Sequence, residues 1–287
     1  MSSQAPFHEL TKAAASFPKG PVALLFDEDG VALTETLDHL LKLGFVRVVL
    51  VSARPPELTE EQVARCTILR PDRVSSEIVF DLINHAISVL PDRWMHYCYN
   101  AEFLHFPFCE SRSVGELVAF HTEERRDAML TYAVDLYAAD LGAHPNGVDL
   151  DSAHLDKSGY YALDRNDADG QRLDRQWDFF GGLRWRYEEH IPENRRRIDR
   201  VGLFRTQPGL TILPDHTSSN AEYNTVSCKW HHNLTATVLS FRVAKALKSN
   251  PGSRHAIPSF WWHNSVKFEW SSQQLMDLGL MEPGQWF

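Results

Sequence analysis

The chain has few cysteines, no excess of positive charge and no long apolar run. Its four cysteines, Cys66, Cys98, Cys109 and Cys228, are dispersed and form no CxxC pair. That spacing speaks against a disulfide framework and for buried, reduced thiols in a cytoplasmic protein. No apolar stretch approaches the roughly 20 residues of a membrane-spanning helix. The opening MSSQAPFHELTK lacks the charged-then-apolar order of a secretory signal, so a cytoplasmic location is the expectation. With 29 Lys and Arg against 38 Asp and Glu, the formal net charge is -9. An acidic balance of this size argues against broad nucleic-acid binding. The run Arg195 to Arg197 is the local exception. It reads better as a solvated face than as a grip on phosphates or lipid heads, since firm membrane binding takes a longer cluster, but it leaves room for peripheral membrane or partner-enzyme association.

What the chain does have is a repeating alternation of apolar strands and amphipathic helices. VALLF at 22–26 is a short buried-strand run, and DEDG follows it as a turn. The spacing predicts a helix over 31–43, with Leu33, Leu37, Leu40 and Leu41 on one face and Gly44 ending it. VRVVLVS at 46–52 is β-branched and reads as the next strand. Strand, helix and strand within about 30 residues make a βαβ unit, hence parallel strands. A helix over 77–90 behind Ser75 or Ser76, a strand over 94–99, a capping box at Ser113–Glu116 and a long strand over 128–137 continue the pattern. Residues 139–202 are polar, with aromatic anchors, and are expected to form long ordered loops and short hairpins. LTATVLSFRVAKAL at 234–247 reads as an amphipathic helix, and the FWWHN-to-QWF tail as packed down.

Two sets of residues carry chemistry. An apolar strand ending in Asp27-Glu28-Asp29-Gly30 is similar to the opening of haloacid-dehalogenase-like phosphatases, with Asp27 as nucleophile and Asp29 as general acid. VLVSAR resembles that family's Ser/Thr motif, but the later lysine and the magnesium-holding acid pair are missing. A plain acidic turn explains DEDG as well.

The second set spans more of the chain. In NAEFLHFP, Glu102, Phe103, Leu104, Phe106 and Pro107 match a D-x-D-E-F-L motif followed by Y/F-P. Gly30, Glu35, Leu43, Gly44 and Phe45 match a K-N-E-G…L-G-F-D helix block, with Asp27 to Asp29 standing in place of Lys-Asn-Glu. VDLYAADL, FFGGLRWR, VGLFRTQPGLTILPDH and KWHHNLTATVLSF follow in order. Together, over about 22–247, these blocks resemble the bacterial family-2-like glycosyltransferases of the GT-A fold.

The resemblance implies a single α/β domain, with a mixed, mainly parallel sheet flanked by helices and a loop-rich C-terminal half. Residues 22–137 would form the nucleotide-sugar-binding half and 138–287 the acceptor side. It implies transfer of a sugar from a nucleotide sugar to a glycan or other hydroxyl acceptor, in polysaccharide assembly. It places Glu102 and His216 in catalytic positions, although Glu102 reads equally as a cap on the next turn, and Gly30, Glu35, Ser52, Arg54, Tyr99, Ala101, Arg184 and His231 around the donor.

Tyr99 and Ala101 fall where the relatives' metal-holding aspartates stand, and Asn233 replaces a lysine. No metal site is therefore assigned, and Mg or Mn is disfavoured. Cationic groups such as Arg54, Arg184 and His231 would face the leaving phosphate instead. A catalytically silent homologue that binds a glycan or a partner is the alternative.

Three further features read as structural. Asp149-x-Asp151 is a solvated acidic loop in preference to a cation site, and adjacent His231 and His232 point to opposite faces. FWWHN at 260–264 has the rings of a sugar-stacking platform, but core packing of the tail is the preferred reading.

Overall fold

The computed structural model describes residues 4–227 and 233–286. In chain order the elements are α1 (Ala5–Ala14), β1 (Val22–Asp27), α2 (Leu33–Lys42), β2 (Arg47–Ser52), α3 (Glu60–Arg65), β3 (Cys66–Leu69), α4 (Ser76–Val89) and β4 (Trp94–Tyr99). Then come β5 (Glu102–His105), α5 (Val114–Glu123), β6 (Ala128–Asp135), β7 (Tyr137–Ala138), β8 (Ala153–Asp156), β9 (Tyr161–Asn166) and β10 (Arg172–Phe180). The chain closes with α6 (Gly182–Arg186), β11 (Asp199–Arg205), β12 (Ala236–Ser240), α7 (Arg242–Ser249), β13 (Ser265–Lys267) and α8 (Ser272–Asp277). The fold is α/β, with a mixed, partly parallel sheet and flanking helices. No described helix is long and apolar enough to cross a membrane.

The chain divides into two compact units. The first comprises Met1–Phe103, Ser111–Leu130 and Val201–Asn224. Its strands run in the order β3-β2-β1-β4-β11. β1 is parallel to β2 and β4, and β2 to β3, while β11 is antiparallel to β4. Every residue of β1 and β4 is buried, as expected for central strands covered on both faces. Alternation sends Val22, Leu24 and Phe26 to one side with Met95, Tyr97 and Tyr99. There they join Leu10 and Ala14 of α1 and Phe80, Ile83 and Ile87 of α4 in one core. Each such large side chain removed from water contributes about 1.5–3 kcal/mol.

Helix starts follow local chemistry. Ser75 accepts from Ile78 N at the start of α4. Ser113 and Glu116 form a reciprocal capping box at the start of α5, as their spacing predicts.

The second unit comprises Leu104–Glu110, Thr131–Arg200 and Thr225–Phe287. In it β12 runs parallel to β6, β7, β8 and β13 form a small antiparallel sheet, and β9 and β10 form a bulged hairpin. The hairpin realises the expectation for 139–202. The helix expected over 234–247 is corrected. Its first part is the buried strand β12, and only α7 is helical. ATVLS is rich in β-branched residues and buried on both faces, so it reads as an unbroken apolar run that helix periodicity matches by accident. The long strand over 128–137 breaks at Leu136 into β6 and β7.

His121 on α5 is 1% exposed, lies 6.0 Å from the Trp94 ring, and has no hydrogen-bond partner on either ring nitrogen among the described residues. Burial, helped by the charge of Arg126, pushes its imidazole down to about 3. The unfolded chain takes up a proton below its ordinary value of about 6.5, whereas the folded chain does not until near 3. Stability is therefore lost as pH falls through that window. Urea unfolding at pH 7 and pH 4.5 should show a smaller acid loss for His121→Leu than for the wild type. Equal losses would contradict the burial argument.

Candidate functional site

Order β3-β2-β1-β4 means the chain leaves β1 toward one edge and then returns to β1's other side. The carboxyl ends of β1 and β4 therefore flank a reversal of strand order, the place where open α/β sheets bind ligands. The DEDG turn leaves β1 at this point.

Register explains the first contact. Asp27 pairs with Ser52 across β1 and β2, and Ser52 Oγ lies 2.7 Å from Asp27 Oδ2. Asp27 Oδ1 accepts from Gly30 N at 2.6 Å and faces the Arg54 guanidinium at 3.4 Å. Asp27 is 4% exposed, while the Arg54 side chain is 56% exposed. Gly30 has φ +79°, and a Cβ there would sit 3.3 Å from Arg54 Nη2. The glycine thus permits the turn and lets the guanidinium lie against it.

Directly after β4 comes Asn100, which sequence reading missed. Its Oδ1 accepts from Glu28 N at 2.8 Å, and its Nδ2 donates to Asp29 Oδ1 at 2.5 Å and Val31 O at 2.9 Å. Its only sequence signal is a polar amide at the end of an apolar strand.

Ala101 takes the left-handed conformation at φ 62° and donates its N–H to Thr36 Oγ1. Glu102 closes this turn, its Oε2 accepting from Tyr99 N at 3.0 Å, and is 1% exposed. Tyr99 packs against Phe26 in the apolar core and is 2% exposed. The positions matched to metal-binding aspartates thus hold a core ring and a buried methyl group. The residues present there do not fit a divalent cation. Among the described residues no group of three His, Cys, Asp or Glu is placed to hold a metal ion.

His216 belongs to the same unit. Its backbone oxygen accepts from Val201 N, which the β11–β4 register places toward the carboxyl end of β4. The ring stacks on Tyr97, tilts against Phe80, and bonds the Tyr97 hydroxyl through Nδ1 at 3.0 Å. Glu35 is exposed in the first turn of α2 and accepts from Thr34, so its charge complements the helix end.

Gly30, Ser52 and Arg54 are therefore gathered around Asp27, while Tyr99, Ala101 and Glu102 form the β4–β5 turn. Arg184 belongs to the second unit. His231 lies outside the described residues.

In the second unit Asp135 ends β6, fully buried beside Arg184, whose Nε is 3.5 Å from Oδ1 and whose N–H donates to Oδ2. Burial raises the Asp135 carboxyl to about 6, and Arg184 holds it from rising further. The Gly181-Gly182 pair is packed tightly. A Cβ on Gly181 would overlap the Tyr160 ring, and one on Gly182 would come 2.9 Å from Asp135. The arginine run is largely spent internally. Arg196 bonds the Ile191 and Glu188 carbonyls, and Arg197 pairs with Asp178 and Asp199. Asp149 closes its own loop by accepting from Asp151 N and Ser152 N.

No known family model matches the chain, and no curated protein matches its sequence.

Asp27→Asn replaces an acceptor oxygen with a donor facing other donors. Urea unfolding should show a loss of about 1–3 kcal/mol, whereas Glu35→Gln on the exposed helix turn should change stability by under about 0.5 kcal/mol. Equal effects would contradict the anchoring role given to Asp27.

Proposed function

We propose that the chain is a glycosyltransferase-like protein of GT-A type that binds a nucleotide-sugar donor at the carboxyl ends of β1, β2 and β4 and transfers the sugar to a hydroxyl acceptor. One observation carries this reading. At the strand-order reversal, the pairing of β1 with β2 sets the loop that carries Glu28 and Asp29 against the exposed Arg54 cation, which faces Asp27 and lies over Gly30. The acids suit the hydroxyls of a ribose or sugar, and the guanidinium suits a diphosphate. In this reading Arg54 offsets the charge of the leaving diphosphate, the part a metal plays in relatives with an acid pair. Glu102 and His216, both at the same end of β4, are the candidates for the acceptor side. The ordered blocks along 22–247 support the same assignment.

A second reading has its own support. Glu102 is enclosed and tied to its own turn, which suits a silent homologue that binds without turnover. The phosphatase reading is weakened, since a nucleophilic carboxylate must present a free oxygen to phosphorus while Asp27 has both oxygens engaged.

Titration with UDP-, GDP-, dTDP- and CMP-sugars, with and without Mn²⁺, tests these readings by thermal shift and by nucleoside-phosphate release. One donor should raise the melting temperature without Mn²⁺, and Arg54→Ala should weaken it at least tenfold, about 1.4 kcal/mol. Binding without release, in the presence of candidate acceptors, supports the silent homologue. No response to any donor, or an unchanged Arg54→Ala variant, overturns the donor site.

A further inference from the structure

The second unit carries a group of aromatic rings that the donor site does not use. Trp185 and Trp262 meet with ring centroids 6.5 Å apart and planes at 59°, so they form an open corner. Trp185 is 41% exposed, and Trp261, next in the chain to Trp262, is 57% exposed. They are the exposed tryptophans among the described residues. Leaving apolar ring surface in water forgoes the gain of burying it, and an exposed aromatic surface with a polar rim marks a binding face. The Phe260 side chain beside them is fully buried, so the FWWHN segment divides into a core anchor and a displayed platform, correcting the reading of core packing alone.

The platform is held rigidly from beneath. Asp156, 1% exposed, accepts from Trp262 Nε1 at 2.7 Å, from the Tyr137 hydroxyl at 2.5 Å and from Arg186 at 3.0 Å. The Arg186 guanidinium lies 4.6 Å from the Trp262 ring centroid and is fixed on its other side by the Phe260 carbonyl at 2.6 Å. Its side chain is 10% exposed. The orientation of Trp262 is thus set by a buried charged hub before any ligand arrives, which lowers the ordering cost of binding. Gly159 leaves room for Trp185, whose ring would lie 3.3 Å from a Cβ at that position.

The chemistry narrows the ligand. A cation already occupies the Trp262 ring, so a second, as in a quaternary ammonium ligand, would meet like charge. A flat ligand face of CH groups edged with hydroxyls suits the two indole planes, and the His263 ring lies edge-on to Trp262 with centroids 4.7 Å apart. We propose that the Trp185–Trp262 corner, with Trp261 exposed next to it in the chain, binds the pyranose rings of an acceptor glycan. Naming it the acceptor rests on the transferase reading; binding of the glycan does not.

Saturation-transfer NMR on the full chain tests this with maltohexaose, cellohexaose, chitohexaose and mannohexaose, and with choline as the cationic comparison. At least one oligosaccharide should receive saturation at its ring CH protons. The Trp185→Ala/Trp261→Ala variant should lose that binding at least tenfold while keeping the wild-type far-UV spectrum and nucleotide-sugar response. Trp261→Ala alone, at a position 57% exposed, should weaken it by a smaller factor. No transfer to any of the four sugars, undiminished transfer in the double variant, or a preference for choline overturns the proposal. Glycan binding with no nucleotide-sugar response would leave the platform standing and remove the transferase reading. The reverse would remove the platform alone.

Discussion

The carboxylate of Asp27 is the tie on which the loop end of the first unit depends. β1 is central and covered on both faces, so a charge at its last position is tolerated only if its oxygens are bonded. Gly30 N, Ser52 Oγ and Arg54 meet that requirement, and in doing so join the turn after β1 to the end of β2. Asn100 adds the end of β4 by bonding three backbone or side-chain groups of the same turn. One buried anion and one buried amide therefore convert three strand ends into a single preorganised rim.

The rim determines which charges remain on display. The Asp27 anion is consumed internally, while Glu28, Asp29 and much of Arg54 face water. At the turn after β4, where an acid pair would gather a cation, Tyr99 and Ala101 are built into the packing. On the proposed reading this division is functional, with a protein cation meeting an anionic ligand directly. The second unit separates tasks similarly. Asp156 and Arg186 are buried and fully engaged so that the indole surface above them is fixed.

Much of the first unit was legible because its signals are local. The periods of β1, α2, β2, α4 and β4 are strong, and the Ser113 box announces α5. Helices α1 and α3 and strand β3 escaped reading: β3 is four residues long and follows α3 without a turn residue between them. β12 was misread because a doubly buried strand has no alternation to distinguish it from a helix. The β9–β10 hairpin was expected only in outline. Its one buried residue in β9 is Arg165, held by Asp178 and Asp199, and hydrophobic patterning does not register a polar interior. Asp27 and Ser52 could be seen as strand-end residues, but the role of Asn100 depends on β4 lying beside β1, a fact of topology rather than of spacing. Glu102 reads in sequence equally as a site acid or as a turn cap, and in the fold it accepts from Tyr99 N within its own turn.

The central claim is that a nucleotide sugar occupies the rim made by β1, β2 and β4 without a metal. Hydrogen-exchange mass spectrometry with saturating donor and chelator tests it most directly. The account predicts slowed exchange confined to peptides covering Asp27–Ala32 and Ser52–Arg54, with smaller slowing at Asn100–Glu102. Slowing elsewhere with these peptides unchanged, or slowing here only when Mn²⁺ is restored, would contradict it.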